Sequence, residues 1–420
     1  MTSRGDSLRQ LRALTNGGLS KSSAQFRDGD RTVLPSRTVK RLRKLMPQMG
    51  ITRLANVTGL DRIGIPVVMV CRPNARSLAV SQGKGVDLDS AMASGLMEAA
   101  ELYHAEHIEL PLKLGCQAEL QCSHSLVDVS RLARVVGSQF NPHHVMLWIE
   151  GVDLFSGARR WVPFESVRAN FTLPPPPGSG CFDCSSNGLA SGNTLAEAVC
   201  HAIREIVERD ATALWNLLPR KTRDLTGIDL ESVEDPTCRD VLEKLERADF
   251  GVAVWETTSD VGIAAFFALI SDRRNPANHH GIGAAAHSSR DVALLKALIE
   301  AAQVRTTYIS GTRDDLAEEE YTEAGRGAKR RAAKRLLAGH APGRKMQDIP
   351  DWRPHSSGAE LEYLLAKLKA VGIEEAVAVD LSKKDLGVAV VRVVIPGLEG
   401  PDDHDAYVSG ERSLRAQDLQ

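Results

Sequence analysis

The most constraining stretch of the 420-residue chain runs from about Leu195 to Leu217, where apolar and charged residues alternate with a helical period. At ~100° per residue, with Glu197 as zero, Glu208 falls near 20°, His201 near 40°, Glu205 near 80° and Asn193 near −40°. Ile203, Ile206 and Val207 take the opposite side. The spacing therefore predicts an amphipathic helix whose polar face concentrates carboxylates. Two further segments repeat the pattern. A helix over about 88–107 puts Ser94, Glu98 and Glu101 on one side, and a helix over about 291–307 does the same with Lys296, Glu300 and Gln303.

Taken singly, each stripe is an ordinary solvated face. Together they carry more, because glycines precede each: Gly83 and Gly85, then Gly188 and Gly192, then Gly281 and Gly283. Glycine-bearing turns before a helix let backbone N–H groups approach a phosphate, and the helix N-terminus favours anions. Carboxylates sharing one cavity would raise one another's pKa, a conflict that magnesium relieves by taking oxygen ligands and bridging them to phosphates. Lys84, Lys296, Arg209 and Arg31 offer the complementary positive charge. The physics alone points to a metal–nucleotide site.

The rest of the chain limits the alternatives. A formal net charge of −2 gives no bulk attraction for nucleic acid. No stretch approaches the ~20 apolar residues of a membrane helix, and residues 1–16 lack the apolar core of a signal peptide. Seven scattered cysteines do not form a secreted disulfide pattern, so a reducing cytoplasm is expected. Cys181-x-x-Cys184 could serve zinc only with two more ligands, and ordinary cysteines are the simpler reading. Gly83-Lys84-Gly85 lacks Walker spacing. The basic run 326–335 reads as a solvated face first and a partner-docking patch second. Strand-like segments near 66–71, 120–165, 250–270, 375–379 and 388–394 interleave with the helices, which predicts an α+β chain of two or three subdomains. Residues 1–30 are expected to be loosely ordered, 174–180 a linker or lid, and 411–420 a polar tail.

Four stretches, 51–85, SGLMEAAEL at 94–102, SSNGLASGNTLAEAVCHAIREIVERDA at 185–211 and 281–305, resemble the YcaO family over roughly residues 31–410. The resemblance implies the YcaO fold, mixed sheets with packed helices around a central nucleotide site. It implies ATP and Mg2+ as cofactors and O-phosphorylation of a peptide backbone amide, giving an azoline, thioamide or amidine. It assigns magnesium to Glu98, Glu101, Glu205 and Glu208, and nucleotide or phosphate contacts to Asn193, Glu197, Arg209, Lys296 and Glu300. Lys84 matches the motif lysine, and Arg31 and Thr38 fall near an N-terminal pair that touches the nucleotide. Arg209, Lys84 and Glu300 are the expected catalytic groups, with His201 the candidate base beside a structural role. Leu102 stands where the family motif carries Arg, and Lys296 where many members have Arg. The chain ends SLRAQDLQ, without the proline-rich tail of azoline-forming members, and 396–410 resembles the group paired with a TfuA protein. The expected partners are therefore a precursor peptide or protein and a TfuA-like protein, with a homodimer as the expected self-assembly. The rivals are a non-catalytic precursor-binding scaffold, an azoline-forming component and an accessory role in protein methylthiolation.

Overall fold

The structure is a computed structural model that describes residues 4–15, 31–275, 278–316, 318–401 and 407–418. In chain order the first elements are α1 (Arg4–Thr15), α2 (Pro35–Leu42), β1 (Arg53–Asn56), β2 (Val67–Cys71), β3 (Val80–Lys84) and α3 (Leu88–Glu106). Next come β4 (Leu112–Gly115), α4 (Gln117–Leu120), β5 (Met146–Asp153), β6 (Arg159–Pro163), β7 (Leu189–Gly192) and α5 (Leu195–Leu217). They are followed by α6 (Arg220–Asp224), α7 (Pro236–Arg247), β8 (Phe250–Glu256), β9 (Ala264–Asp272), β10 (Gly281–His287) and α8 (Arg290–Ser310). The last are α9 (Glu323–Gly339), α10 (Ser357–Ala370), β11 (Val377–Asp380), β12 (Ala389–Val394) and α11 (Glu411–Asp418). The mixture of antiparallel sheets and helices is the α+β architecture that the alternation of patterns predicts. Among the described residues no helix is long and apolar enough to cross a membrane.

The chain divides into two compact units. One comprises 1–34, 100–217 and 354–420. It is built on a six-stranded sheet in the order β4-β5-β11-β12-β7, with β6 paired to β5. The long helix α5 and then α10 and α11 pack here, and Val377–Asp380 and Ala389–Val394 form the buried centre of the sheet. The other unit comprises 35–99 and 218–353 and holds two three-stranded antiparallel sheets, β1-β2-β3 and β10-β9-β8. Its core joins Val241 and Leu245 of α7 to Phe266 and Ile270 of β9 and to Ala297 and Leu298 of α8.

Local chemistry explains the helix ends. Asp235 caps α7 by accepting the N–H groups of Thr237 and Cys238, with Pro236 at the first helical position. Helix α8 runs beyond the expected Thr307 to Ser310, because Gly311 adopts φ 58° and closes it in a left-handed cap.

Several expectations need correction. Gly188 lies in a turn, at φ 76°, but the other glycines ahead of the three carboxylate helices are strand residues or directly follow a strand. Gly83, Gly192, Gly281 and Gly283 lie within β3, β7 and β10, and Gly85 directly follows β3. A Cβ on Gly83 would stand 2.1 Å from Ala91 O, one on Gly192 2.5 Å from Ala198 N, and one on Gly283 2.2 Å from Ala297 O. These positions let a strand press onto the backbone of the helix that follows it. Three strand–helix pairs, β3–α3, β7–α5 and β10–α8, are thus built alike. Gly283→Ala would meet main chain that cannot yield, so it is expected to cost ~1–3 kcal/mol. Urea unfolding followed by circular dichroism checks this, as a lower midpoint with an unchanged slope. Residues 120–165 hold only β5 and β6 as strands, since Asp128, Asn141 and Gly137 support turns among the intervening residues. Residues 4–15 form α1 where loose order is expected, while the rest of 1–30 lies outside the described residues. The polar tail carries α11 over 411–418, with 419–420 outside the described residues.

Candidate functional site

In the unit built on α5, the sequence Thr194-Leu-Ala-Glu197 starts the helix. The Thr194 hydroxyl accepts the Glu197 N–H at 3.2 Å, the first half of a capping box. The Glu197 carboxylate does not complete the box. It accepts from Arg31 Nη1 at 3.0 Å, Thr32 Oγ1 at 2.8 Å and Asn193 Nδ2 at 3.3 Å, and is buried. The structure so brings together three of the assigned residues, Arg31, Asn193 and Glu197. It adds Thr32, which the sequence reading missed. Thr38, the other half of the assigned N-terminal pair, is buried on α2 in the second unit.

On the same helix Glu205 and Glu208 are half-buried one turn apart, and Arg209 Nη1 lies 3.5 Å from Glu208 Oε1. Glu101 Oε1 accepts from Ser191 N at 2.8 Å and Ser191 Oγ at 2.6 Å, so the end of β7 orients this carboxylate. Arg392, a second residue the sequence reading missed, is buried on β12. Its Nε and Nη2 donate to Ser166 O at 2.9 Å and Ser185 O at 2.8 Å, while its buried Nη1 takes no hydrogen bond among the described residues. Burial pulls the Arg392 guanidinium down from its ordinary value, and the charges of Asp183 and Glu205 push it back up. A sequence signal was present: a lone Arg inside the apolar strand Ala389–Val394 is too costly to keep there without anionic company. Leu102, where the family motif has Arg, is also buried, so packing takes the place of an ion pair.

In the second unit Lys84 Nζ lies 3.3 Å from Glu300 Oε1, with Lys296 one turn earlier on α8. Burial pushes the Glu98 carboxyl up; the Lys84 ammonium and the Gln82 N–H at 3.3 Å pull it down, as does Arg313. Gln82 is itself buried, and its Oε1 accepts from Gln303 Nε2 at 3.2 Å and from the Thr307 hydroxyl. This net of amides and hydroxyls holds β3 against α8 and fixes the N–H that meets Glu98. Gln303 belongs to the polar stripe seen in the sequence; Gln82 and Arg313 were not anticipated.

Glu101, Glu205 and Glu208 in the first unit, and Glu98 in the second, are half-buried carboxylates, and oxygen ligands of this kind are what magnesium takes. Among the described residues no three His, Cys, Asp or Glu side chains form a ready-made cage. The buried Arg392 Nη1, with no acceptor among the described residues, suits a phosphate oxygen. Burial pushes the Cys181 and Cys184 thiols up.

The family model described as YcaO cyclodehydratase, ATP- and Mg2+-binding, matches residues 82–399. A Rhizobium leguminosarum bv. trifolii protein named "Uncharacterized protein in tfuA 3′ region" is 36% identical over 394 residues, 91% of this chain and 92% of its own length. An uncharacterized protein of Methanothermobacter thermautotrophicus is 33% identical over 372 residues, 87% of this chain and 94% of its own. The structure of YcaO from Methanopyrus kandleri bound with AMPPCP and Mg2+ is similar in fold, with a TM-score of 0.70 at 23% identity, over 91% of this chain and 96% of that one. A heterocyclase in complex with substrate and cofactor gives 0.76 at 22% identity over 96% of this chain, which spans only 57% of that heterocyclase. ATP and magnesium are the cofactors of the family so matched. With a family model over most of its length and relatives above 30% identity across nearly all of it, the chain belongs to the YcaO family.

Proposed function

We propose that this protein activates a backbone amide of a peptide or protein by ATP- and magnesium-dependent O-phosphorylation, and that the product is a thioamide made with a TfuA-like partner. The observation that carries the reading is the half-buried placement of the glutamates Glu98, Glu101, Glu205 and Glu208, two of them held by backbone N–H groups of neighbouring strands. Buried carboxylates are costly without a cation, and their retention argues for a working site. The tfuA-region relative supports the choice of partner.

An amide carbonyl is a poor electrophile, and its oxygen leaves poorly as oxide. Addition of sulfide to the carbonyl carbon forms a tetrahedral oxyanion. When bound, ATP with magnesium supplies the γ-phosphoryl group that turns this oxygen into a phosphate leaving group. Loss of phosphate and a proton leaves carbon doubly bonded to sulfur. The protein's own part is alignment and charge neutralisation. The four glutamates would hold the metal, while Arg209 and Lys84 would meet phosphate charge. Glu300 would keep Lys84 in place, and Asn193, with the Arg31–Glu197 pair, would fix the nucleotide end of α5. Ser191 and Gln82 would orient Glu101 and Glu98 as outer partners do.

The scaffold alternative is favoured by one observation, the buried Leu102 in the position of the motif arginine. One reaction separates the two. The full chain, a TfuA-like protein, a precursor peptide, ATP, magnesium and sulfide should give ADP together with a peptide heavier by the difference between sulfur and oxygen. An unchanged peptide and no ADP under all combinations would favour the scaffold; ADP with an azoline product would replace the thioamide assignment.

A further inference from the structure

Helix α9 carries a charge pattern that the amide chemistry does not use. From Arg326 to Lys345 the chain has eight Lys and Arg and no Asp or Glu, in a protein of net charge −2. The structure sets the short basic helix α6 against α9. Arg220 Nη2 donates to Arg335 O at 3.2 Å, and Gly339 approaches Asp224 so closely that a Cβ there would stand 2.3 Å from its carboxylate. The N-terminal part of α9 is neutralised within the chain, since Lys329 pairs with Glu320 and Arg326 with Glu323. The remainder is not. Lys221, Arg330, Arg331, Lys334 and Arg335 have no carboxylate within ion-pair distance among the described residues, and all but the half-buried Arg330 are exposed. Arg331, Lys334 and Arg335 stand at i, i+3 and i+4, on one face.

One further observation bears on the kind of ligand. Leu225, at the end of α6, is 69% exposed beside the cations. We propose that the face formed by α6 and the C-terminal half of α9 docks an acidic, carboxylate-bearing segment of a partner protein. Planar guanidinium groups suit carboxylates, and Leu225 offers an apolar anchor of the kind a peptide side chain covers. At ~1.5 Å per residue the stretch from Arg330 to Gly339 is about 15 Å long, enough for roughly four or five residues of extended chain alongside it. Nucleic acid fits less well. Among its described residues the unit has no large exposed aromatic side chain for stacking bases, Tyr308 and Tyr321 being engaged with His279, and the net charge supplies no long-range pull.

The test uses the full chain and a fluorescein-labelled peptide of repeated glutamate and glycine, with binding read by anisotropy at low and physiological salt. The wild type should bind, more weakly as salt rises. Arg331→Ala with Lys334→Ala and Arg335→Ala should weaken binding at least about tenfold, because three charge-assisted contacts are lost while alanine preserves the helix. The pair Arg331→Lys and Arg335→Lys, which keeps the charge but loses the planar fork, should bind between the wild type and the triple variant, and circular dichroism should show all of them folded alike. Equal binding by the triple variant would overturn the proposal, as would equal binding of the glutamine version of the peptide. A single-stranded RNA that binds more tightly and displaces the peptide would overturn it in favour of nucleic acid. Failure of the peptide to bind, with a wild-type dimer in sedimentation that the triple variant loses, would overturn it in favour of a second copy of the chain.

Discussion

Glu205→Gln is expected to lower peptide-stimulated ATP turnover by at least about a hundredfold, since losing a ligand of the proposed metal site should cost no less than losing an outer partner, which costs about 10–100-fold. The substitution keeps size and helix propensity and removes one negative charge. Glu205 is half-buried on α5 and its charge is felt by the buried Arg392 guanidinium. The neutral amide would therefore weaken the hold on a cation and leave Arg392 short of anionic company. Raising magnesium should restore part of the rate, a response that a merely structural defect would not give. Circular dichroism should show the fold unchanged. Turnover within about twofold of wild type, in a protein that still needs magnesium, would remove Glu205 from the metal site.

The largest expected effect on stability lies far from that chemistry in kind. Asp272 is buried and accepts from Arg62 Nη1 at 3.0 Å, Arg305 Nη2 at 3.3 Å, Asn278 Nδ2 at 3.1 Å and the Asn275 N–H at 3.0 Å. Both guanidinium groups also stand over the Phe250 ring, 4.5 and 4.8 Å from its centroid. The Arg62 hydrogen bonds hold the Asp272 carboxyl well below the usual carboxylate range. Asp272→Asn would leave the part-exposed Arg62 without its ion pair and the buried Arg305 with Asp61 alone, at 2.6 Å, at a cost of about 3 kcal/mol, the lower end for breaking a buried pair. The pH dependence follows from the sign of the shift. A depressed folded-state pKa stabilises fully above the unfolded value of about 3.9, and the contribution is lost as pH falls towards the folded value. Urea unfolding should show the gap between wild type and variant wide near neutrality and narrowing in acid. A gap that is small at neutral pH, or constant down to the acid limit, would contradict this.

The helices are legible in the sequence because their signals are local. Thr194-Leu-Ala-Glu197 opens α5 and Pro219 follows its end, so the expected and observed bounds coincide. Glu205 and Glu208, and Glu98 and Glu101, share faces by simple helical spacing. The strands β3 and β10 are harder to see. Their glycines look like turn residues, yet Gly83 and Gly283 are small because helix backbone lies against them, a reason that sits in another part of the chain. The outer partners of the site escape for the same cause. Ser191, Thr32 and Gln82 are ordinary polar residues until tertiary contact puts Glu101, Glu197 and Glu98 beside them. Arg392 is the exception, since a charge within an apolar strand asks for an anionic neighbour on sequence grounds alone.

The most direct test of amide activation follows the amide oxygen itself. A precursor peptide labelled with oxygen-18 at its backbone carbonyls is incubated with the full chain, a TfuA-like protein, ATP, magnesium and sulfide. Phosphorylation of the amide oxygen predicts that the label leaves the peptide and appears in the released phosphate, one labelled phosphate for each modified amide. Unlabelled phosphate accompanying a modified peptide would mean that ATP is cleaved without passing its phosphoryl group to the amide oxygen, and would contradict the account.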